Sequence, residues 1–84
     1  MVSGRSGIYG DQPMEPKFPY RHVADDLRRK IESGELTYQL PSRLKLAEEY
    51  GVSHMTIDRA LTVLKQDGLV YGVAGLGVFV KETD

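Results

Sequence analysis

From Tyr20 onward, apolar residues recur at helical spacing: Tyr20, Val23, Ala24, Leu27 and Ile31 lie three or four positions apart, while Arg21, Arg28, Arg29 and Lys30 fall mostly elsewhere around the turn. This pattern predicts an amphipathic helix. Pro19 suits its first turn, Asp25 and Asp26 lie nearer its start and the basic run nearer its end, as the helix dipole favours, and Ser33-Gly34 supplies a stop. After a short link, Glu35 to Leu40, Pro41-Ser42 opens a second helix with Ser42 as N-cap and with Leu46, Ala47 and Tyr50 on one face; Gly51 ends it. Val52-Ser53 restarts the chain as a third helix, with Ser53 as N-cap and Ile57, Ala60, Leu61 and Leu64 at the i, i+3, i+4, i+7 positions as far as Asp67-Gly68. Two helices joined by a short glycine turn make a helix-turn-helix. The period then changes. Leu69-Val70-Tyr71 and Val78-Phe79-Val80 read as strands around the turn-forming stretch Gly72 to Gly77, a hairpin too small to stand alone that must turn Val70, Val78 and Val80, or the alternate residues, onto the helices. The fold predicted is mainly α with a small β-hairpin: a winged helix-turn-helix of three helices followed by a two-stranded wing.

Residues 1–18 show neither period, and Gly4, Gly7, Gly10, Pro13 and Pro16 interrupt them. They are expected to form a mobile arm, with the winged helix-turn-helix at 19–81 and a short tail at 82–84. At 84 residues the chain has room for one domain. The absence of cysteine excludes a disulfide scaffold and thiolate metal sites, and two isolated histidines, His22 and His54, build no ligand cluster, so neither a metal nor a cofactor is expected. No apolar run approaches the ~18 residues of a membrane span, and no secretory h-region opens the chain, which makes the expected compartment the cytoplasm. A formal net charge of −1 excludes a strong global attraction for polyanions, although residues 17–65 hold nine basic and seven acidic side chains. Catalysis has little to stand on: Glu48 and Glu49 are adjacent and point about 100° apart on a helix, and no serine or threonine has an identifiable base. No catalytic residue is assigned, and an enzyme is not expected.

The string LPSRLKLAEEYGVSHMTIDRALTVLKQDGLV from Leu40 to Val70, followed by GLGVFV from Gly75 to Val80 and preceded by VADDLRRKIESGEL from Val23 to Leu36, resembles the N-terminal winged-helix domain of GntR-family bacterial transcriptional regulators. The resemblance implies a repressor that binds double-stranded operator DNA near the nucleoid, its third helix in the major groove and its wing along the backbone or minor groove. It further implies a palindromic operator and a homodimer, formed on DNA or through a C-terminal domain beyond this chain. Carried over position by position, the DNA-binding residues are Ser42, Arg43, Leu44 and Lys45 at the start of helix two, Ser53, His54, Met55, Thr56, Asp58 and Arg59 at the start of helix three, and Gly75, Leu76 and Gly77 in the wing. The helical spacing supports this independently, since His54, Met55, Asp58 and Arg59 lie opposite the apolar stripe of helix three and the hydroxyls of Ser53 and Thr56 lie where phosphate could be met. Gly75 and Gly77 are expected to serve turn geometry rather than a phosphate cradle.

The chain also departs from the family pattern. Where the family writes Leu-Pro-Ser-Glu-Arg, this chain has Leu40-Pro41-Ser42-Arg43-Leu44. Where the family places arginines after Val-Ser and again four residues later, it has His54 and Asp58. The wing, often Pro-Gly-Arg-Gly-Thr, reads Ala74-Gly75-Leu76-Gly77-Val78, and the Leu36–Leu40 link is shorter than usual. With cations missing, Arg28, Arg29, Arg43, Lys45, Arg59 and Lys65 remain to meet phosphate, and Asp58 is expected to face bases, where it can accept from cytosine N4. The neutral wing and the apolar Leu44 and Leu76 leave open an alternative, a winged-helix protein-interaction module that has given up DNA.

Overall fold

A computed structural model describes residues 18–82. The chain forms α1 (Pro19–Glu32), α2 (Arg43–Tyr50), α3 (His54–Gln66), β1 (Val70–Val73) and β2 (Gly77–Val80). The arm expected at 1–18 lies, Phe18 apart, outside the described residues, as do the last two residues of the tail.

Each helix boundary follows from a local cause. Pro19 occupies the first turn of α1, where a missing N–H forfeits no intrahelical bond, and the Ser33 N–H closes the other end onto the Arg29 carbonyl at 2.9 Å. Ser42 caps α2 by accepting from the Lys45 N–H at 3.1 Å, and Ser53 caps α3 by accepting from the Thr56 N–H at 3.2 Å. Gly51, at φ 65°, takes the left-handed conformation that lets the chain leave α2 and enter α3 within a few residues. The dipole arrangement expected for α1 holds at one end only: Arg29 and Lys30 lie in its last turn, but no acidic residue lies in its first. Asp25 and Asp26 sit too far along to gain much from the dipole, whose effect is confined to the terminal turns, and instead pair with Arg28, Arg29 and Lys30 three or four positions on.

The helices bury the stripes their spacing predicts. Val23, Ala24 and Leu27 of α1, Leu46 and Ala47 of α2, and Ile57, Ala60, Leu61 and Leu64 of α3 form one core with Leu40 and Val70, while Tyr20, Ile31 and Tyr50 pack half-buried at its edge. The Tyr50 hydroxyl donates to Asp26, tying α2 to α1. That bond holds the Asp26 carboxyl below its ordinary value, while burial, then the bond to Asp26, pushes the Tyr50 phenol up.

β1 and β2 pair antiparallel with Val70 opposite Val80 and Gly72 opposite Val78. These residues share the face toward the helices, and Val78 and Val80 pack half-buried against the core. Both strands extend closer to the tip than expected. Gly72, expected in the turn, is in β1, because the positive backbone angles are taken by Gly75 and Gly77 instead. The Glu35–Leu40 link also differs from a plain connection. The Leu40 N–H donates to the Val78 carbonyl at 2.9 Å and the Val80 N–H to the Tyr38 carbonyl at 2.6 Å, so Tyr38–Leu40 runs along the free edge of β2. On the outer face of the hairpin, Phe79 is only 8% exposed because Tyr38 meets it edge-on at 5.3 Å and Tyr71 stacks on it at 5.8 Å between ring centroids.

Candidate nucleic-acid interface

The start of α2, the exposed side of α3 and the hairpin loop border an open groove with a cavity volume of about 730 Å³. Gln39, Arg43, Asp58, Thr62 and Lys65 supply its polar lining, and the hairpin residues Gly72 to Val78 form its far wall. Of the residues carried over from the family pattern, Ser42, Arg43, Asp58, Gly75, Leu76 and Gly77 are brought together there. Met55 projects outward on α3 at 76% exposed, Leu76 stands at the wing tip at 65%, and Leu44, Lys45 and His54 are also exposed.

Several side chains have partners the sequence alone did not announce. Arg43 Nη1 donates to both oxygens of Asp58, at 3.0 and 3.1 Å. Positions 43 and 58 are those where the family pattern carries a glutamate and an arginine; here both charges are reversed and the two side chains pair. Arg59 is turned toward α1, its guanidinium 4.4 Å from the centroid of the Tyr20 ring, a cation–π contact that draws it away from the groove. The Arg21 Nε donates to the Tyr20 hydroxyl at 3.3 Å, and this bond, with the nearby charge of Arg59, holds that phenol below its ordinary value. The Ser53 hydroxyl accepts from the Thr56 N–H and donates to Thr56 Oγ1 at 3.1 Å, so its proton is engaged within the protein while the Thr56 hydroxyl keeps its own proton to give.

The basic run of α1 is spent internally: Arg28 pairs with Asp25 and Asp67, and Arg29 and Lys30 pair with Asp26. Among the described residues, Lys45 and Lys65 have no ion-pair partner. The Lys65 ammonium lies over Gly72, where a Cβ would come within 3.3 Å of it, and so lies against the inner side of the hairpin.

The wing tip is held from two directions. Gly75 and Gly77 have φ of 80° and 125°, as turn geometry demands, and the Gln39 amide donates to the Leu76 carbonyl at 2.8 Å. The backbone angle calls for glycine at 77, and a Cβ there would lie 2.9 Å from that amide nitrogen, so a side chain at 77 would also displace the Gln39 amide. Gln39 and Thr62 escaped the sequence reading. Thr62 lies one turn beyond Asp58 on the same face of α3, a spacing that points to it; Gln39 acts through a strand pairing with no local signature. No helix among the described residues is long and apolar enough to cross a membrane.

The family described as bacterial regulatory proteins, gntR family, matches residues 19–80. The chain belongs to that family. It is 38% identical over 65 residues to the HTH-type transcriptional repressor NagR of Bacillus subtilis, a match covering 75% of this chain and 27% of that protein. It is 36% identical over 78 residues to the histidine utilization repressor of Klebsiella aerogenes, covering 89% and 32%. This gntR-family chain thus spans about a third or less of the length of those relatives. Among solved structures it is similar to the AraR DNA-binding domain in complex with operator ORE1, with a TM-score of 0.75 and 32% identity over 89% of this chain and 92% of that one. The winged-helix fold predicted from sequence is the fold of these neighbours.

Proposed function

We propose that residues 19–81 are the DNA-binding domain of a gntR-family transcriptional repressor, which reads an operator by placing the N-terminal half of α3 in the major groove and the hairpin tip on the backbone or minor groove. The observation that carries this is the likeness, over nearly the whole described chain, to a domain solved on its operator. In this reading His54, Met55 and Asp58 face bases. Ser42, Lys45, Thr56, Lys65 and the wing residues Gly75 to Gly77 meet phosphate and sugar, and Arg59 reaches a phosphate by leaving Tyr20. A palindromic operator would seat two copies, and the compartment would be that of the chromosome.

The direct test is a titration of random-sequence duplex across a range of salt, followed by selection of bound sequences from a randomised pool. A DNA-binding domain gives a log–log salt slope of about −0.9 per phosphate neutralised. A flat slope, with no enriched sequence, would favour the second reading, a protein-interaction module, for which the exposed Leu44 and Leu76 speak.

A further inference from the structure

Arg43 is the first residue of α2 and Asp58 lies in the second turn of α3, so their ion pair bridges the two helices of the helix-turn-helix at the groove. The contact is end-on: a single nitrogen, Nη1, serves both carboxylate oxygens. Among the described residues Nη2 and Nε of Arg43 have no acceptor, and each Asp58 oxygen retains a lone pair. The side chains are 59% and 48% exposed. The pair therefore presents a free donor edge beside a free acceptor, with no net charge.

A phosphate is poorly served by such a unit, because whatever Arg43 offers is opposed by a carboxylate 3.0 Å away. The major-groove edge of a G·C base pair is served well: guanine presents acceptors at O6 and N7, and the paired cytosine presents a donor at N4. We propose that Arg43 and Asp58 form one reading unit for a G·C base pair, with the free edge of Arg43 donating to guanine and Asp58 both positioning that edge and accepting from cytosine N4. This rests on the DNA-binding reading above and adds which base pair is read and by which two side chains.

The test starts from the duplex most enriched by the unaltered chain out of a randomised pool. One G·C pair in it, replaced by A·T, should cost about tenfold or more in affinity, the usual value of a bidentate arginine–guanine contact. Arg43→Gln and Asp58→Asn should each abolish discrimination at that one position and leave it intact elsewhere. The double substitution should do no further damage at that position, as expected of side chains that act together. Asp58→Asn should also raise affinity for random duplex at low salt, since it removes a negative charge. Deazaguanine, which lacks the N7 acceptor, placed at that position should weaken binding of the unaltered chain, a readout that requires no variant to fold. The proposal is overturned if the two variants affect different positions, if their effects add, if affinity falls equally for all sequences, or if deazaguanine is tolerated. Each of those results leaves salt-dependent DNA binding standing, whereas a flat salt slope for the unaltered chain removes the DNA reading itself.

Discussion

Helix α1 carries the chain's run of three consecutive cations, Arg28-Arg29-Lys30, and each is tied to a carboxylate of α1 or, through Asp67, of the end of α3. The face formed by α2, α3 and the hairpin holds as many, Arg43, Lys45 and Lys65, but among the described residues Lys45 and Lys65 are unpaired and the ion pair there, Arg43–Asp58, joins two elements rather than neighbours on one helix. The first surface uses its charges to brace the fold; the second keeps them available. Density of basic residues along a sequence is thus a poor guide to where a polyanion would bind, because an arginine already facing a carboxylate releases few counterions when a phosphate arrives.

The largest effect comes from removing what both surfaces rest on. Leu61→Ala, which truncates a buried side chain of α3, is expected to lose roughly 2 to 5 kcal/mol in urea unfolding. A loss under about 0.5 kcal/mol, the range of surface changes, would mean that α3 is rotated from the orientation described.

The next test separates the two faces directly. Lys45→Ala and Lys65→Ala should each weaken binding to all duplexes and flatten the salt slope by about 0.9, whereas Arg29→Ala should leave the slope unchanged. Equal flattening by all three would erase the distinction between the surfaces.

On the bracing side, Tyr50→Phe deletes the bond to Asp26 at constant shape and should destabilise the fold by about 1 kcal/mol at neutral pH. Because the bond holds the Asp26 carboxyl below its ordinary value, its contribution is fully present above the unfolded carboxyl range and disappears as pH falls through the depressed value. Unfolding curves of parent and variant should therefore converge in acid. The smallest effect is expected from Arg28→Ala, whose ion pairs are partly exposed: less than about 1 kcal/mol, shrinking further in high salt.

What was legible in the sequence was what local chemistry decides. Ser42 and Ser53 announce their helices because a cap bonds within three residues, Gly51 and Gly68 mark stops through their own backbone angles, and the stripe Ile57-Ala60-Leu61-Leu64 reveals its face by spacing alone. What was not legible depends on partners far along the chain. Asp58 looked like a free carboxylate until Arg43, fifteen residues earlier, was brought against it. Arg59 looked like an outward cation, yet Tyr20 on another helix captures it. The pairing of Tyr38–Leu40 with β2 left no trace in a stretch with neither helical nor alternating pattern.

That edge pairing also bears on the order in which the molecule can assemble. The helix-turn-helix closes through contacts between near neighbours in sequence, which form early and at little entropic expense. The hairpin tip, by contrast, is held by Gln39 across 37 residues, and that bond can form only after the intervening helices have compacted enough to bring the ends of so long a loop together. The tip is therefore the natural last piece to settle during folding and the first to loosen, so the Leu76 amide at the tip should exchange sooner than those of Leu40 and Val80, which belong to one seam at the base of the hairpin and should be released together.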